Sequence, residues 1–197
     1  MDASTDPGSF FETLTRTVEF DPKAGFTFSG GVRAFIMSAS TIDDLIDDLY
    51  LVFGVKYVNA RLYLGGKRAG KRTAAALTAK FSIDSDDKRK CEQFFSDFYA
   101  ALGWAKIEFE LDYEKHTGTV IAHNSFLAQG AMEKFTERGA ATTVKAKQQP
   151  RCAMLAGYIA GLVSFLFNAD IDARETECLV MHAPTCRFSV ARQEHSI

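Results

Sequence analysis

Four residues in the last third of the chain combine side chains and spacing that suit a metal ion. Cys152, Glu175, Cys178 and Cys186 follow the pattern C-x22-E-x2-C-x7-C. Thiolate sulfur and carboxylate oxygen are both common zinc ligands, and three thiolates with one carboxylate complete a closed tetrahedral site. The pattern therefore predicts one bound zinc ion with a structural role.

The segments between these ligands predict a helix followed by a hairpin. Residues 153–167 (AMLAGYIAGLVSFLF) are apolar enough for a buried helix, and Pro150 suits its first turn. Residues 171–180 and 186–190 have the composition of two strands. A zinc ion would tie the start of the helix to the hairpin.

Residues 151–190 also carry a family resemblance. They contain a Cys at the helix start, a Gly-Tyr pair inside the helix, an E-x-x-C strand and a closing Cys-Arg-Phe. In these features the chain resembles the 4-vinyl reductase domain family, found alone and as the effector-sensing domain of bacterial activators that respond to aromatics. The resemblance implies a zinc ion held by Cys152, Glu175, Cys178 and Cys186. The chain departs from the family at His182, where Gly is usual, so His182 competes with Glu175 as the fourth ligand.

Composition narrows the class of protein. The 197 residues are 47% hydrophobic, which is enough for one well-buried domain, and the net charge of -2 does not favour nucleic acid or an anionic membrane. Residues 153–167 are shorter than the roughly 20 residues of a membrane span. The N-terminal residues lack the order of a signal peptide, so we expect a cytoplasmic protein. In that reducing compartment, clustered cysteines favour metal over disulfides. Cys91, outside the cluster, is expected to be a small half-buried residue of a helix.

The periodicity predicts an α+β fold, in which an antiparallel sheet packs against a helical layer and zinc stabilises the C-terminal helix and hairpin. We expect residues 1–30 to be an N-terminal extension with a hairpin, and residues 31–197 to be a single ligand-binding domain like that of the 4-vinyl reductase family. The other predicted elements are a hairpin at 18–20 and 26–29, a strand after Gly31, helices from Ser40 or Thr41 to Gly54, at 55–80, at 82–102 and at 126–135, a hairpin at 104–113 and 119–123, and a mobile lid at 138–149.

A glycine-rich basic segment lies inside one of these helices. Residues 64–72 (LGGKRAGKR) suggest a phosphate cradle, but Gly70 is followed by Lys-Arg and not by the Lys-Ser or Lys-Thr of a P-loop. Small residues also recur in this helix of the resembled family. The segment therefore predicts close helix packing by glycines, with solvated charges.

The aromatic content raises the question of a ligand pocket. The chain has 17 Phe, and the resembled fold places an apolar cavity between sheet and helices. The predicted lining residues are Phe95, Tyr99, Trp104, Tyr158, Leu162 and Phe165. Phenol sensors of the family hold the ligand hydroxyl with a histidine and a tryptophan. Here no histidine precedes His116, and Ala122 stands at the tryptophan position, so a larger or more apolar molecule than phenol is expected.

No set of residues predicts catalysis, since the four histidines are scattered and the common catalytic motifs are missing from the sequence. The leading hypothesis is a zinc-containing domain that senses or carries an apolar small molecule, forms a homodimer and signals through a partner protein. The alternatives are an accessory protein of bacteriochlorophyll synthesis that binds a tetrapyrrole, and a structural assembly module. Both follow from the resemblance.

Overall fold

The structure is a computed structural model, and it describes residues 11–12, 15–16, 18–23, 25–28, 32–34, 36–137 and 149–192. The helices are α1 (Ala39–Phe53), α2 (Val55–Lys80), α3 (Lys88–Ala101), α4 (Phe126–Glu137) and α5 (Ala153–Phe167). The strands are β1 (Val18–Asp21), β2 (Gly25–Phe28), β3 (Val32–Ala34), β4 (Lys106–Asp112), β5 (Thr117–His123), β6 (Ile171–Glu177) and β7 (Cys186–Arg192).

The strands form two antiparallel sheets. One has the order β1-β2-β3, and the other has the order β4-β5-β7-β6. The helices pack against the four-stranded sheet, so the predicted α+β class is confirmed. The pairing of β2 with β3 joins the predicted N-terminal hairpin to a strand after residue 31. The boundary between residues 30 and 31 stays a prediction.

Helix α5 forms the centre of the core. Helix α2 packs along one side of it, and β6 and β7 contact the other side. Eleven of its 15 residues are buried, which explains why its sequence is apolar around its whole circumference. The predicted helix at 153–167 is therefore confirmed in its bounds, but Pro150 lies outside it because Cys152 occupies the N-cap position.

Glycines bring α2 and α5 into close contact. A Cβ atom on Gly157 would meet the carbonyl of Tyr63, and one on Gly70 would meet the carbonyl of Tyr158. Gly66 and Gly161 face the opposite helix in the same way. This supports the packing interpretation of the glycine-rich segment, and α2 continues through it without a break.

The helix starts differ from the prediction where local side chains cap the backbone. Helix α1 begins after Ser38, whose Oγ accepts the N–H of Thr41, so the cap lies before the predicted Ser40 or Thr41. Gly54, with φ of 78°, ends α1 and allows α2 to begin at the next residue. Helix α3 begins at Lys88 and not at Ser82, because Asp87 accepts the N–H of Lys90.

Two further predictions meet the structure only in part. The predicted strand 171–180 ends at Glu177 and is followed by a 3₁₀ turn, Leu179–Met181. Residues 138–148 of the predicted lid lie outside the described residues, so the lid stays a prediction. Among the helices that the structure describes, none has the length and apolar character needed to cross a bilayer.

Candidate metal centre and aromatic cluster

The four predicted metal ligands come together in the structure. One ligand atom of each of Cys152, Glu175, Cys178 and Cys186 lies within 4.8 Å of all the others. Cys152 caps α5, Glu175 lies in β6 beside a β-bulge, Cys178 follows β6 and Cys186 begins β7. All three cysteines are fully buried. The start of one helix and the two strands of one hairpin therefore converge, as the spacing predicts.

The distances between the sulfur atoms fit a tetrahedral ion. Cys186 Sγ lies 3.6 Å from Cys152 Sγ and 3.9 Å from Cys178 Sγ. Sulfurs bound to one zinc ion at about 2.3 Å lie about 3.8 Å apart when the geometry is tetrahedral. A disulfide requires about 2.05 Å, and the three cysteines are free thiols in the structure. The arrangement suits a shared cation.

Neighbouring polar groups hold the ligands in place. The backbone N–H of Cys152 donates to Glu175 Oε2 at 3.0 Å, and the N–H of Leu179 donates to Cys186 Sγ at 3.5 Å. Ser125 Oγ lies 3.3 Å from Cys152 Sγ, and Ser125 is also fully buried. The sequence analysis did not identify Ser125 as part of this site. Its position directly before α4 gave no spacing signal toward Cys152.

The electrostatics of the four groups also favour a cation. Burial, together with the nearby Cys178, raises the pKa of Glu175 to about 9, and its Oε1 atom is buried without a hydrogen-bond partner among the described residues. Hydrogen bonds from Cys152 and Cys178 lower the pKa of Cys186 to about 4. Hydrogen bonds with Cys178 and Cys186 raise the pKa of Cys152. Four acidic groups thus share few protons in a buried space, and a divalent cation would compensate their charge.

His182 lies outside this group. It is exposed at the end of the 3₁₀ turn, and its backbone has a left-handed conformation with φ of 65°. Glycine adopts this conformation with less strain than histidine does. The turn therefore keeps a shape that glycine favours, and Glu175 is the residue that joins the three cysteines.

A buried ionic network lies next to the metal ligands. Arg151, which is 6% exposed, donates to Asp43 and to Asp47 of α1, each at 2.6 Å, and stacks over the Tyr50 ring. These carboxylates raise the pKa of Arg151, although burial opposes them. Because Arg151 directly precedes Cys152, the network fixes the entry to α5 against α1. Sequence analysis missed this network, since nothing local links residue 43 to residue 151.

The aromatic residues predicted to line a pocket form a chain of ring contacts. Trp104 lies 4.7 Å from Tyr158 and 5.6 Å from Tyr99, measured between ring centroids, and Phe95 lies 6.2 Å from Phe165. Leu162 is fully buried on the same helix as Tyr158 and Phe165. Phe126, which was not predicted, joins the group at 5.2 Å from Trp104. We call Phe95, Tyr99, Trp104, Phe126, Tyr158, Leu162 and Phe165 the aromatic cluster.

One polar atom inside the aromatic cluster has no partner. The Tyr99 side chain is 2% exposed, and its hydroxyl makes no hydrogen bond within the described residues. Burial raises the pKa of this hydroxyl far above its usual range, so it remains a protonated donor. A buried donor without an acceptor costs about 1–3 kcal/mol. The cost would be recovered if a bound molecule supplied the acceptor.

The comparison with sequence families agrees with this architecture. The sequence model of the 4-vinyl reductase domain matches residues 127–192, a segment that contains all four candidate metal ligands. Residues 127–192 of the chain thus belong to the 4-vinyl reductase domain family, and the resemblance inferred from the sequence is confirmed.

Particular relatives extend the similarity beyond that segment. The chain is 26% identical over 184 residues to the phenol regulator MopR of Acinetobacter guillouiae, a match that covers 90% of this chain and 30% of that protein. The fold is similar to the phenol-responsive sensory domain of the transcription activator PoxR, with a TM-score of 0.73, 19% identity and coverage of 98% and 92%. It is also similar to a trafficking protein particle complex subunit 3 of Naegleria fowleri bound covalently to palmitic acid, with a TM-score of 0.52, 10% identity and coverage of 80% and 96%.

Proposed function

We propose that this chain is a sensor domain that binds an apolar small molecule in the aromatic cluster and holds one zinc ion in a structural role. The observation that carries the ligand-binding part is the buried Tyr99 hydroxyl, which has no partner among the described residues in a surrounding of rings and aliphatic side chains. The similarity to MopR and PoxR, which are described as a phenol regulator and a phenol-responsive domain, supports the same class of function.

The proposed metal is zinc because of its ligand set. Three thiolates exclude the hard cations, which prefer oxygen, and a compact tetrahedral S₃O group is a structural zinc environment. All four ligands come from the protein, so no position is left for a substrate. Zinc would hold the start of α5 against the β6–β7 hairpin, and it would supply no chemistry to a ligand.

The proposed ligand is apolar with one hydrogen-bond acceptor. The aromatic cluster offers mainly ring faces and edges, and Tyr99 offers a donor. A carbonyl, ether or hydroxyl oxygen would satisfy that donor inside an apolar environment. Ala122 is fully buried and small, so this strand lacks a bulky polar contact at that position, and a molecule larger than phenol suits the cluster better.

A homodimer is also proposed, with the contact at the junction of α1 and α2. Large apolar side chains remain exposed there: Leu45, Leu51, Val52, Phe53, Tyr57 and Leu64. Leu51 is 85% exposed, and the rings of Phe53 and Tyr57 lie 6.0 Å apart. Apolar patches of this kind usually mark a protein contact. Sedimentation at several concentrations tests the dimer, and Leu51→Lys should shift the chain toward monomer.

A fluorescence titration tests the ligand-binding proposal. Trp104 is the only tryptophan of the chain and contacts both Tyr99 and Tyr158. A panel of aromatic ketones, phenols, fatty acids and tetrapyrroles should contain at least one class that changes Trp104 emission saturably. A response to tetrapyrroles alone would favour the pigment-synthesis alternative. No response to any class would contradict ligand binding and favour the assembly module.

A further inference from the structure

The two edges of the four-stranded sheet differ. Strand β6 is covered by α2, because the N–H of Ala173 donates to Tyr63 Oη at 3.0 Å and Lys67 pairs with Asp172 at 2.7 Å. Strand β4 lies at the other edge, where no further strand pairs with it in the part of the chain that the structure describes. An edge strand directs the N–H and C=O of every second residue outward.

A groove of about 1020 Å³ runs between β4 and α3. It is lined by Arg89, Glu92, Gln93, Ser96 and Asp97 of α3 and by residues 106–113, which include all of β4. The α3 residues lie three or four positions apart, so they form one stripe of the helix. Consecutive β4 residues point to opposite faces of the sheet, and yet all of them line the groove. The groove therefore follows the edge of the strand.

The charge of the groove is predominantly negative. It holds five carboxylates against two cations, Arg89 and Lys106; the carboxylates are those of Glu92, Asp97, Glu108, Glu110 and Asp112. Some of them already have partners, because Tyr113 donates to Glu92, Lys115 pairs with Asp112, and His123 lies 3.2 Å from Glu108. Glu110 is exposed on the same face of β4 as Glu108.

We propose that this groove binds a basic, extended segment of a partner protein, which pairs with β4 as a fifth strand. A groove between an edge strand and a helix is the geometry in which main-chain hydrogen bonds provide affinity and alternate side chains provide specificity. The seven residues of β4 span about 23 Å at roughly 3.3 Å per residue, which matches a segment of similar length. Cationic side chains at alternate positions of that segment would face Glu108 and Glu110.

A second copy of this chain suits the groove less well. If two β4 strands paired antiparallel about Phe109, Glu108 of each strand would lie opposite Glu110 of the other. Like charges directly opposite each other destabilise a strand pair, and this pairing would contain two such contacts. The negative groove therefore favours a basic partner. This proposal does not depend on the zinc ion or on the small-molecule ligand.

Two capped peptides provide the probes. The first is Thr-Lys-Val-Lys-Val-Lys-Thr, and the second replaces both Val residues by Pro, which keeps the charge but removes two N–H groups. We expect the first peptide to bind in low salt, to slow hydrogen exchange of β4 amides, and to bind at least tenfold more tightly than the proline peptide. Equal binding of both peptides, or binding without protection of β4, would overturn the proposal.

A charge reversal in the groove gives an independent check. Glu110→Lys should weaken the valine peptide about tenfold at low ionic strength, because it replaces an attraction by a repulsion. Glu133→Lys makes the same change at an exposed residue of α4 outside the groove and should leave binding unchanged. Equal effects of the two variants would show nonspecific attraction to the acidic protein and would also overturn the proposal.

Discussion

The backbone N–H of Cys152 donates a hydrogen bond to Glu175 Oε2 across 3.0 Å, so two candidate metal ligands are also bound to each other. This bond uses one carboxylate oxygen, and Oε1 has no partner among the described residues. That oxygen belongs to a carboxylate beside a buried set of sulfur atoms, which is the arrangement expected of a ligand that binds through one oxygen.

The first prediction separates Glu175 from His182 as the fourth ligand. Glu175→Gln keeps an acceptor for the N–H of Cys152 but removes the negative charge, so zinc retention against a chelator should fall by at least tenfold. His182→Gly should keep one zinc per chain and raise stability by about 1 kcal/mol, since glycine relieves the positive φ. Metal analysis and thermal unfolding provide the measurements. The opposite pattern would show that His182 binds the metal.

The second prediction concerns the pH dependence of the metal-free protein. The folded-state pKa of Glu175 is raised to about 9 from 4.5, so its contribution to stability is lost as pH rises through that range. The folded-state pKa of Cys186 is lowered to about 4 from 9.0, so its contribution is lost as pH falls through the same range. The two slopes oppose each other. In metal-free Glu175→Gln, stability should therefore increase from pH 4 to pH 9.

Denaturant unfolding of both metal-free proteins across this pH range checks the prediction. The parent protein should show a flatter profile than the variant. If both profiles have the same slope, Glu175 does not hold the proton that Cys186 lacks.

The third prediction compares two glycines of different surroundings. Gly157→Ala should destabilise the protein by about 3 kcal/mol, because the added methyl group would meet the backbone of α2 at Tyr63 and Lys67. Gly65→Ala lies in the interior of α2 with no neighbouring atom within 4 Å of the added Cβ, so it should stabilise by up to about 1 kcal/mol. Urea unfolding of both variants measures these changes. Similar effects at both sites would contradict the proposed interlock of α2 and α5.

The fourth prediction uses the hydroxyl of Tyr99. Tyr99→Phe removes a buried donor that has no partner among the described residues, so the ligand-free protein should become more stable by about 1 kcal/mol. The same change should weaken the ligand found in the Trp104 titration. Tyr113→Phe is the control, because its hydroxyl donates to Glu92 at 2.6 Å and its loss should lower stability. Unchanged affinity in Tyr99→Phe would remove Tyr99 from the ligand site.

Local signals explain which features the sequence predicted. The alternation of residues 104–113 and the apolar run at 153–167 report on period and burial, and both elements are present. The start of α3 was predicted too early, since Ser82 also resembles a cap and only tertiary packing selects Asp87. The metal ligands were predictable because cysteines are few. The contacts of Ser125 and Arg151 were not, because each joins segments that are distant in sequence.

That distance also constrains how the chain folds. Arg151 and Asp43 are 108 positions apart, and α2 likewise contacts α5 across a long stretch of chain. During synthesis, α1 and α2 leave the ribosome well before the residues that cover them. Their glycine surface and the Asp43 carboxylate then lack these contacts until α5 is made, so we expect slow, largely post-translational docking of α5. Until that step, the apolar junction of α1 and α2 would be a natural contact for chaperones.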